Sequence, residues 1–202
     1  MKKLLLTGFD PFAHYQKNPS WEVAQALPEV VGDFAITKLL LPNIYGLAGR
    51  MLLEKAAAMQ PDVILMLGMD SGSAHVHFDT VAVNLRDALV EDNLGNRPWN
   101  EPIIADGPAA YFSTLPVHQA VRELQAEKIP VHLGYTTGGY VCNDIFYTAC
   151  HHFAPTKVKV GFAHVPLLPE MVWDENLALS LARSTELVQA IIGKLSKILY
   201  HH

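Results

Sequence analysis

The strongest chemical signal in the sequence is the run Thr136-Thr137-Gly138-Gly139-Tyr140-Val141-Cys142-Asn143. Before it, Ile129 to Gly134 reads as a short buried strand; after it, Asp144 to Phe153 reads as a helix with an apolar face. The glycine-bearing loop between them delivers Cys142 to the first turn of that helix. A thiol in a first turn feels the positive end of the helix dipole and several unpaired backbone N–H groups. Both favour thiolate over thiol, which is the condition for a nucleophilic cysteine. A small buried apolar residue is the other reading of such a cysteine, and the loop alone does not decide between them.

A thiol nucleophile needs a base that removes its proton and later returns one to a leaving amine. His164, at the end of the apolar run Val158 to Val165, has that chemistry. A different chemistry comes from His75-x-His77-x-Asp79. Side chains on a strand repeat every two residues, so these three share one face, and imidazole plus carboxylate is a donor set for zinc. This would open a metal-dependent hydrolase motif, but Thr80 stands where binuclear enzymes of that type continue with histidine.

The elements that must position these residues alternate between strand and helix. Lys3–Thr7, Phe34–Leu41, Val63–Leu67 and Val158–Val165 are apolar runs of strand length, and Val63–Leu67 is unbroken, as expected for a strand covered on both faces. His75 to Leu85 alternates as one strand. Helices are expected from Asn18-Pro19 through Leu27, from Ile44 to Gln60, from Pro116 to Glu127, and from Asn176 to Leu199. Arg86 to Gly107 is polar without strong periodicity, an irregular arm or a pair of short hairpin strands. The pattern predicts a single three-layer α/β/α domain over residues 1–202, with a twisted, mostly parallel central sheet and helices on both faces. In such sheets sites form beyond the carboxyl ends of strands. Four loops meet that description: Gly8–Phe12, Gly68–Gly72, Thr136–Val141, and the end of the Gly161–Pro166 run.

Composition limits the partners. With 202 residues, half of them apolar, the chain can build one sizeable core. A net charge of -5 and no Lys/Arg cluster argue against a nucleic-acid partner, whose phosphates demand a basic face. No window is long and apolar enough to span a bilayer, so no membrane partner is expected. The opening Met1-Lys2-Lys3-Leu4-Leu5-Leu6 resembles a signal peptide for six residues before Thr7 to Pro11 end the apolar run. Cys142 and Cys150 fall in one expected helix, about 12 Å apart, too far to pair. That fits a reducing, cytoplasmic setting.

Several separate blocks resemble the type I pyroglutamyl peptidases, also called pyrrolidone-carboxylate peptidases, a family of cysteine exopeptidases. They include Thr7-Gly8-Phe9-Asp10-Pro11-Phe12 with Asn18-Pro19-Ser20, Val81-Ala82-Val83-Asn84 followed by Asp92-Asn93, and Glu101-Pro102-Ile103. Further blocks are Gly107 to Pro116, Val141-Cys142-Asn143, Gly161 to Pro166 and Leu168-Pro169-Glu170, all in family order. The resemblance implies removal of an N-terminal pyroglutamyl residue from peptides through a thioester acyl-enzyme. It implies a Cys–His–acid triad with Cys142 as nucleophile, His164 as base and Asp79 as the acid. It also implies a lactam pocket formed by Phe9, Phe12, Asn18, Met69 and Val141, no cofactor, and assembly as a homodimer or homotetramer.

Some positions depart from the family pattern. Asp79 stands where the family has glutamate, one methylene longer, and unless the backbone shifts it is expected to meet His164 late, through water or not at all. Met69 replaces a residue that is polar in many members. Ser73 and Leu89 occupy positions where the family usually has arginine, which removes positive charge near the thiol and the developing oxyanion. These changes leave open a non-catalytic or weakly active relative that binds pyroglutamyl ligands. The closing His201-His202 is either a natural end or the remnant of a tag.

Overall fold

A computed structural model describes residues 1–201 of the chain; His202 lies outside the described residues. Four parallel strands form the centre of the sheet: β1 (Lys2–Phe9), β3 (Phe34–Leu41), β4 (Val63–Asp70) and β9 (Lys159–Pro166). The full order is β2-β3-β1-β4-β9-β5-β8, where β2 is Val30–Val31, β5 is Val76–Asp79 and β8 is Val131–Gly134. Only β2 on β3 and β5 on β9 pair antiparallel, so the sheet is mostly parallel.

The period-two alternation of the strands divides the core into two layers. Leu4, Leu6, Val63, Leu65, Leu67, Ala163 and Val165 face one side. There they pack on Val23 of α1 (Pro19–Ala26), Val121 of α3 (Val117–Ala126) and Leu187 and Ile191 of α5 (Leu181–Tyr200). Leu5, Phe9, Ile64, Met66, Val160 and Phe162 face the other side. They meet Leu52 of α2 (Leu47–Met59) and Ile145 and Phe146 of α4 (Val141–Phe153). The expected three-layer α/β/α architecture is the one observed.

Four local expectations need correction. The alternating run from His75 to Leu85 is not one strand. It breaks at Thr80, whose N–H and hydroxyl both donate to the Gly134 carbonyl, and the rest becomes β6 (Val81–Val83), paired with β7 (Ala110–Phe112) in a separate ribbon. The terminal helix begins at Leu181 rather than Asn176, because Ser180 caps it by accepting from the Arg183 N–H. Glu175–Leu177 is a 3-10 turn. The cysteine helix starts at Val141, three residues before the apolar periodicity begins. Finally, β8 runs against β9, so its carboxyl end does not lie with those of β1, β4 and β9, and the loop after Gly134 must turn back toward them.

The polar arm from Arg86 to Gly107 is irregular, closed by one bridge between Arg86 and Glu101 and by Asp92. That carboxylate accepts from the N–H groups of Tyr45, Leu94 and Asn96 and from the Asn96 side chain. Asn143, fully buried in the first turn of α4, ties the arm's root to the helix. Its amide nitrogen donates to the Val83 and Leu85 carbonyls, and its oxygen accepts from Val83 N–H and the Thr137 hydroxyl. Replacing Asn143 with Ala leaves these buried groups unpaired, at a cost of about 2–4 kcal/mol. Urea unfolding should show this as a lowered midpoint; an unchanged midpoint would mean that the ribbon is held by other contacts.

Candidate active site

Strand parity builds the site. On β4 and β9 the α4-facing series continues from Met66 to Gly68 and from Phe162 to His164, and Gly68 and His164 are register partners. On β5, His77 pairs with His164 and Asp79 with Phe162, which puts His77 and Asp79 on the same face. Val76 and Phe78, in between, are fully buried in the opposite layer. The sheet therefore offers an imidazole and a carboxylate on the face where the first turn of α4 presents Cys142.

The His164 imidazole Nδ1 lies 2.9 Å from Asp79 Oδ2, with both side chains buried. The aspartate thus meets the imidazole directly, and the expectation of a late or water-bridged contact is corrected. The diagonal between adjacent strands is short enough for the smaller acid. Gly134 makes room for it, since a Cβ there would overlap Asp79 Oδ1. With Nδ1 committed to Asp79, Nε2 remains for the thiol, and Cys142 and His164 line the same cavity. Burial alone would discharge His164. The charge of Asp79 and its hydrogen bond, with Cys142 beside it, outweigh that and hold His164 well above the ordinary histidine range. An imidazolium beside a thiol favours a thiolate–imidazolium pair.

The helix N-terminus adds donors. Asn143 and Asp144 N–H groups bond back to the Tyr140 carbonyl, whereas those of Val141 and Cys142 have no protein acceptor among the described residues. Tyr140 provides no side-chain cap, and these two amides can receive an oxyanion. Asp144 is fully buried, accepts from Gly46 N–H at 2.9 Å and pairs with Arg86 Nε at 2.6 Å. This locks the helix start onto the α2 entrance and the arm.

A cavity of about 300 Å³ opens over the thiol, lined by Cys142, His164, Asp79, Met69, Asp70, Ser71, His77, Tyr140 and Thr136 to Gly138. Of the residues expected around a lactam ring, Met69 is on the wall. Phe12 is half-buried, its ring 5.7 Å from that of Tyr140, which is on the wall. Phe9, Asn18 and Val141 are not on it: Phe9 and Val141 are buried in the α4-side core. Asn18 caps α1, accepting from Ser20 and donating to the Asp10 carbonyl. The three residues of the metal reading part company. Asp79 goes to His164, His77 faces Asp70 and Ser73, and the His75 ring packs 4.4 Å from that of His132. Among the described residues no group of three His, Cys, Asp or Glu is arranged to hold a metal ion. Tyr140, Arg86, Asp144 and Asp70 were not singled out by sequence. Only their proximity in the fold reveals them, since none sits at a diagnostic spacing from Cys142.

A buried His–Asp pair beside a half-buried cysteine, with free amides at a helix N-terminus on an α/β sheet, defines the class: a cysteine peptidase. Comparison with known proteins gives the family. The pyroglutamyl peptidase family profile matches residues 2–197. A pyrrolidone-carboxylate peptidase of Bacillus cereus is 42% identical over 173 residues, covering 84% of this chain and 80% of that protein. The crystal structure of Bacillus amyloliquefaciens pyroglutamyl peptidase I superposes with a TM-score of 0.91 at 35% identity, covering 97% of both chains. Pyrrolidone carboxyl peptidase from Thermococcus litoralis gives 0.92 at 28% identity, covering 98% of this chain and 95% of that one. The chain belongs to the pyroglutamyl peptidase family and is a cysteine peptidase that removes N-terminal pyroglutamate.

Gly68 and Asp79 carry the predictions from this geometry. A Cβ at Gly68 would stand 2.8 Å from Cys142 Sγ and from the Phe162 ring. Gly68→Ala must therefore displace the thiol, and turnover should fall by about 100-fold with little change in far-ultraviolet circular dichroism; near-wild-type turnover would show that the site relaxes freely. Asp79→Asn removes the charge that raises His164. The imidazolium is then lost at lower pH, so the alkaline limb of the kcat profile should move to lower pH, with kcat down by roughly 10³-fold. A limb that stays in place would assign it to another group.

Proposed function

We propose that Cys142 is the nucleophile, His164 the acid–base and Asp79 the residue that fixes the imidazole. The observation that carries this reading is the buried 2.9 Å contact between His164 and Asp79 on the face where α4 presents the thiol. The thiolate adds to the carbonyl carbon of the pyroglutamyl peptide bond, and the oxygen takes the negative charge toward the Cys142 and Val141 amides. His164 Nε2 then donates its proton to the leaving amine, and the C–N bond breaks to give a thioester. A water molecule, deprotonated by His164, attacks the thioester, releases pyroglutamate and restores the thiol. Throughout, Asp79 holds Nδ1–H and stabilises the imidazolium. Met69, Phe12 and Tyr140 form the wall against the flat lactam ring, backed by Phe9, Val141 and Asn18, an arrangement of apolar surfaces with few fixed polar groups.

The chemistry assigned to these side chains calls on no cofactor. We place the protein in the cytoplasm, as one domain over residues 1–202 that assembles as a homodimer or homotetramer. Two free cysteines support the reducing compartment, and no described helix is long and apolar enough to cross a membrane. A weakly active, ligand-binding relative is the second reading. It now rests on Ser73 and Leu89 alone, because Asp79 reaches His164.

The two thiols separate the readings. Burial pushes Cys150 up to about 12, so near neutral pH iodoacetamide should modify Cys142 alone and abolish turnover of a pyroglutamyl amide together with it. Cys142→Ala should have no measurable turnover, while Cys150→Ala should retain most of it. Normal turnover by Cys142→Ala would sink the mechanism.

A further inference from the structure

The wall of the catalytic cavity carries one carboxylate that the triad does not use. Asp70 ends β4, two residues beyond Gly68 against the thiol, on the same face of the sheet. Its Oδ1 is fixed by the Gly72 N–H at 2.8 Å. Its Oδ2 stands 3.7 Å from His77 Nδ1, beyond hydrogen-bond reach, and the side chain is about one-third exposed. His77 is in turn turned by Ser73, whose Oγ is 3.2 Å from Nε2. No lysine or arginine lines this cavity among the described residues, and Ser73 and Leu89 stand where the family usually has arginine.

A pyroglutamyl substrate has a blind end and an open end. The lactam terminates the peptide, and we assign it to the Met69 and Tyr140 walls of the cavity. The rest of the peptide must leave through the mouth. Asp70 lines the cavity, is partly exposed and is followed by exposed Ser71 and Gly72, so its carboxylate is open to a chain that leaves the cavity toward solvent. The geometry points to Asp70 as a specificity-determining residue for the amino acid that follows pyroglutamate, favouring a cationic side chain there and disfavouring an acidic one. This deepens, and rests on, the peptidase reading above. A fixed carboxylate facing partly into solvent attracts a guanidinium and repels a carboxylate over several ångströms, and salt screens both effects.

The test compares kcat/KM for pyroglutamyl-arginine amide, pyroglutamyl-alanine amide and pyroglutamyl-glutamate amide at pH 8 in low salt. The arginine substrate should exceed the glutamate substrate by about tenfold, and the ratio should shrink as salt is raised. Asp70→Asn should bring the ratio near one, Asp70→Glu should keep most of it, and Ser73→Arg should lower or invert it. Calorimetric binding of the same three amides to Cys142→Ala reads the preference without chemistry. A charge preference in binding with no turnover in wild type would support the role of Asp70 and sink the catalytic reading. Equal kcat/KM and equal binding for all three, or a preference that survives Asp70→Asn, would overturn the inference and leave the peptidase reading in place.

Discussion

The site depends on the antiparallel register between β5 and β9. Because His77 is opposite His164, Asp79 falls on the diagonal of His164 and on the same face. A slip of one residue would turn Asp79 into the α1–α3–α5 layer and bring Phe78 to the imidazole. That slip is opposed by the burial of Val76 and Phe78, both fully enclosed in that layer, each contributing about 1.5–3 kcal/mol. The same two apolar residues that anchor the strand therefore aim its carboxylate. The chemistry rests on core packing before it rests on any polar contact.

The polar contacts then set the charge state. A thiol, a histidine held well above the ordinary imidazole range and a carboxylate share one cavity wall. No lysine or arginine lines the cavity among the described residues, so the dipoles of the first turn of α4 face it, with the Val141 and Cys142 amides unbonded to protein among those residues. Two devices keep that turn in place. Asn143 fastens it to Val83 and Leu85, and Asp144 fastens it to Gly46 and Arg86. Both side chains are fully buried, so their rigidity is a matter of satisfied hydrogen bonds rather than of exposed ion pairing.

Much of this was legible in the sequence, for identifiable reasons. The unbroken apolar run Val63–Leu67 marked β4 as a doubly covered strand, and the apolar run Val158–Val165 marked β9. Cys142 followed from a glycine loop before a helical stripe, and His164 from its place at a strand end. What could not be read was directional. Periodicity does not say whether a short strand runs with or against its neighbour, so the reversal of β5 and β8 was missed. The reach of Asp79 depends on that reversal and on the missing Cβ of Gly134, neither of which has a local signature. The break at Thr80 was hidden because β5 and β6 keep the same alternation on either side of it. Asn18 matched a family block, yet its side chain is spent on capping α1.

The short acid and a cavity wall that carries no lysine or arginine among the described residues place the same demand on the site. A glutamate has an extra torsion and can follow an imidazole that moves during catalysis. Aspartate, backed by Gly134 and held within the sheet, keeps the imidazole in one place. A site with fewer cations to stabilise its oxyanion has more need of fixed dipoles in fixed positions, since preorganised donors require no rearrangement as charge develops. In this chain Ser73, instead of supplying charge, orients His77 beside Asp70. Among the described residues Asp70 is the one carboxylate on the cavity wall outside the Cys142–His164–Asp79 group, and the preference we infer for a cationic residue after pyroglutamate follows from its being fixed by Gly72 while partly open to solvent.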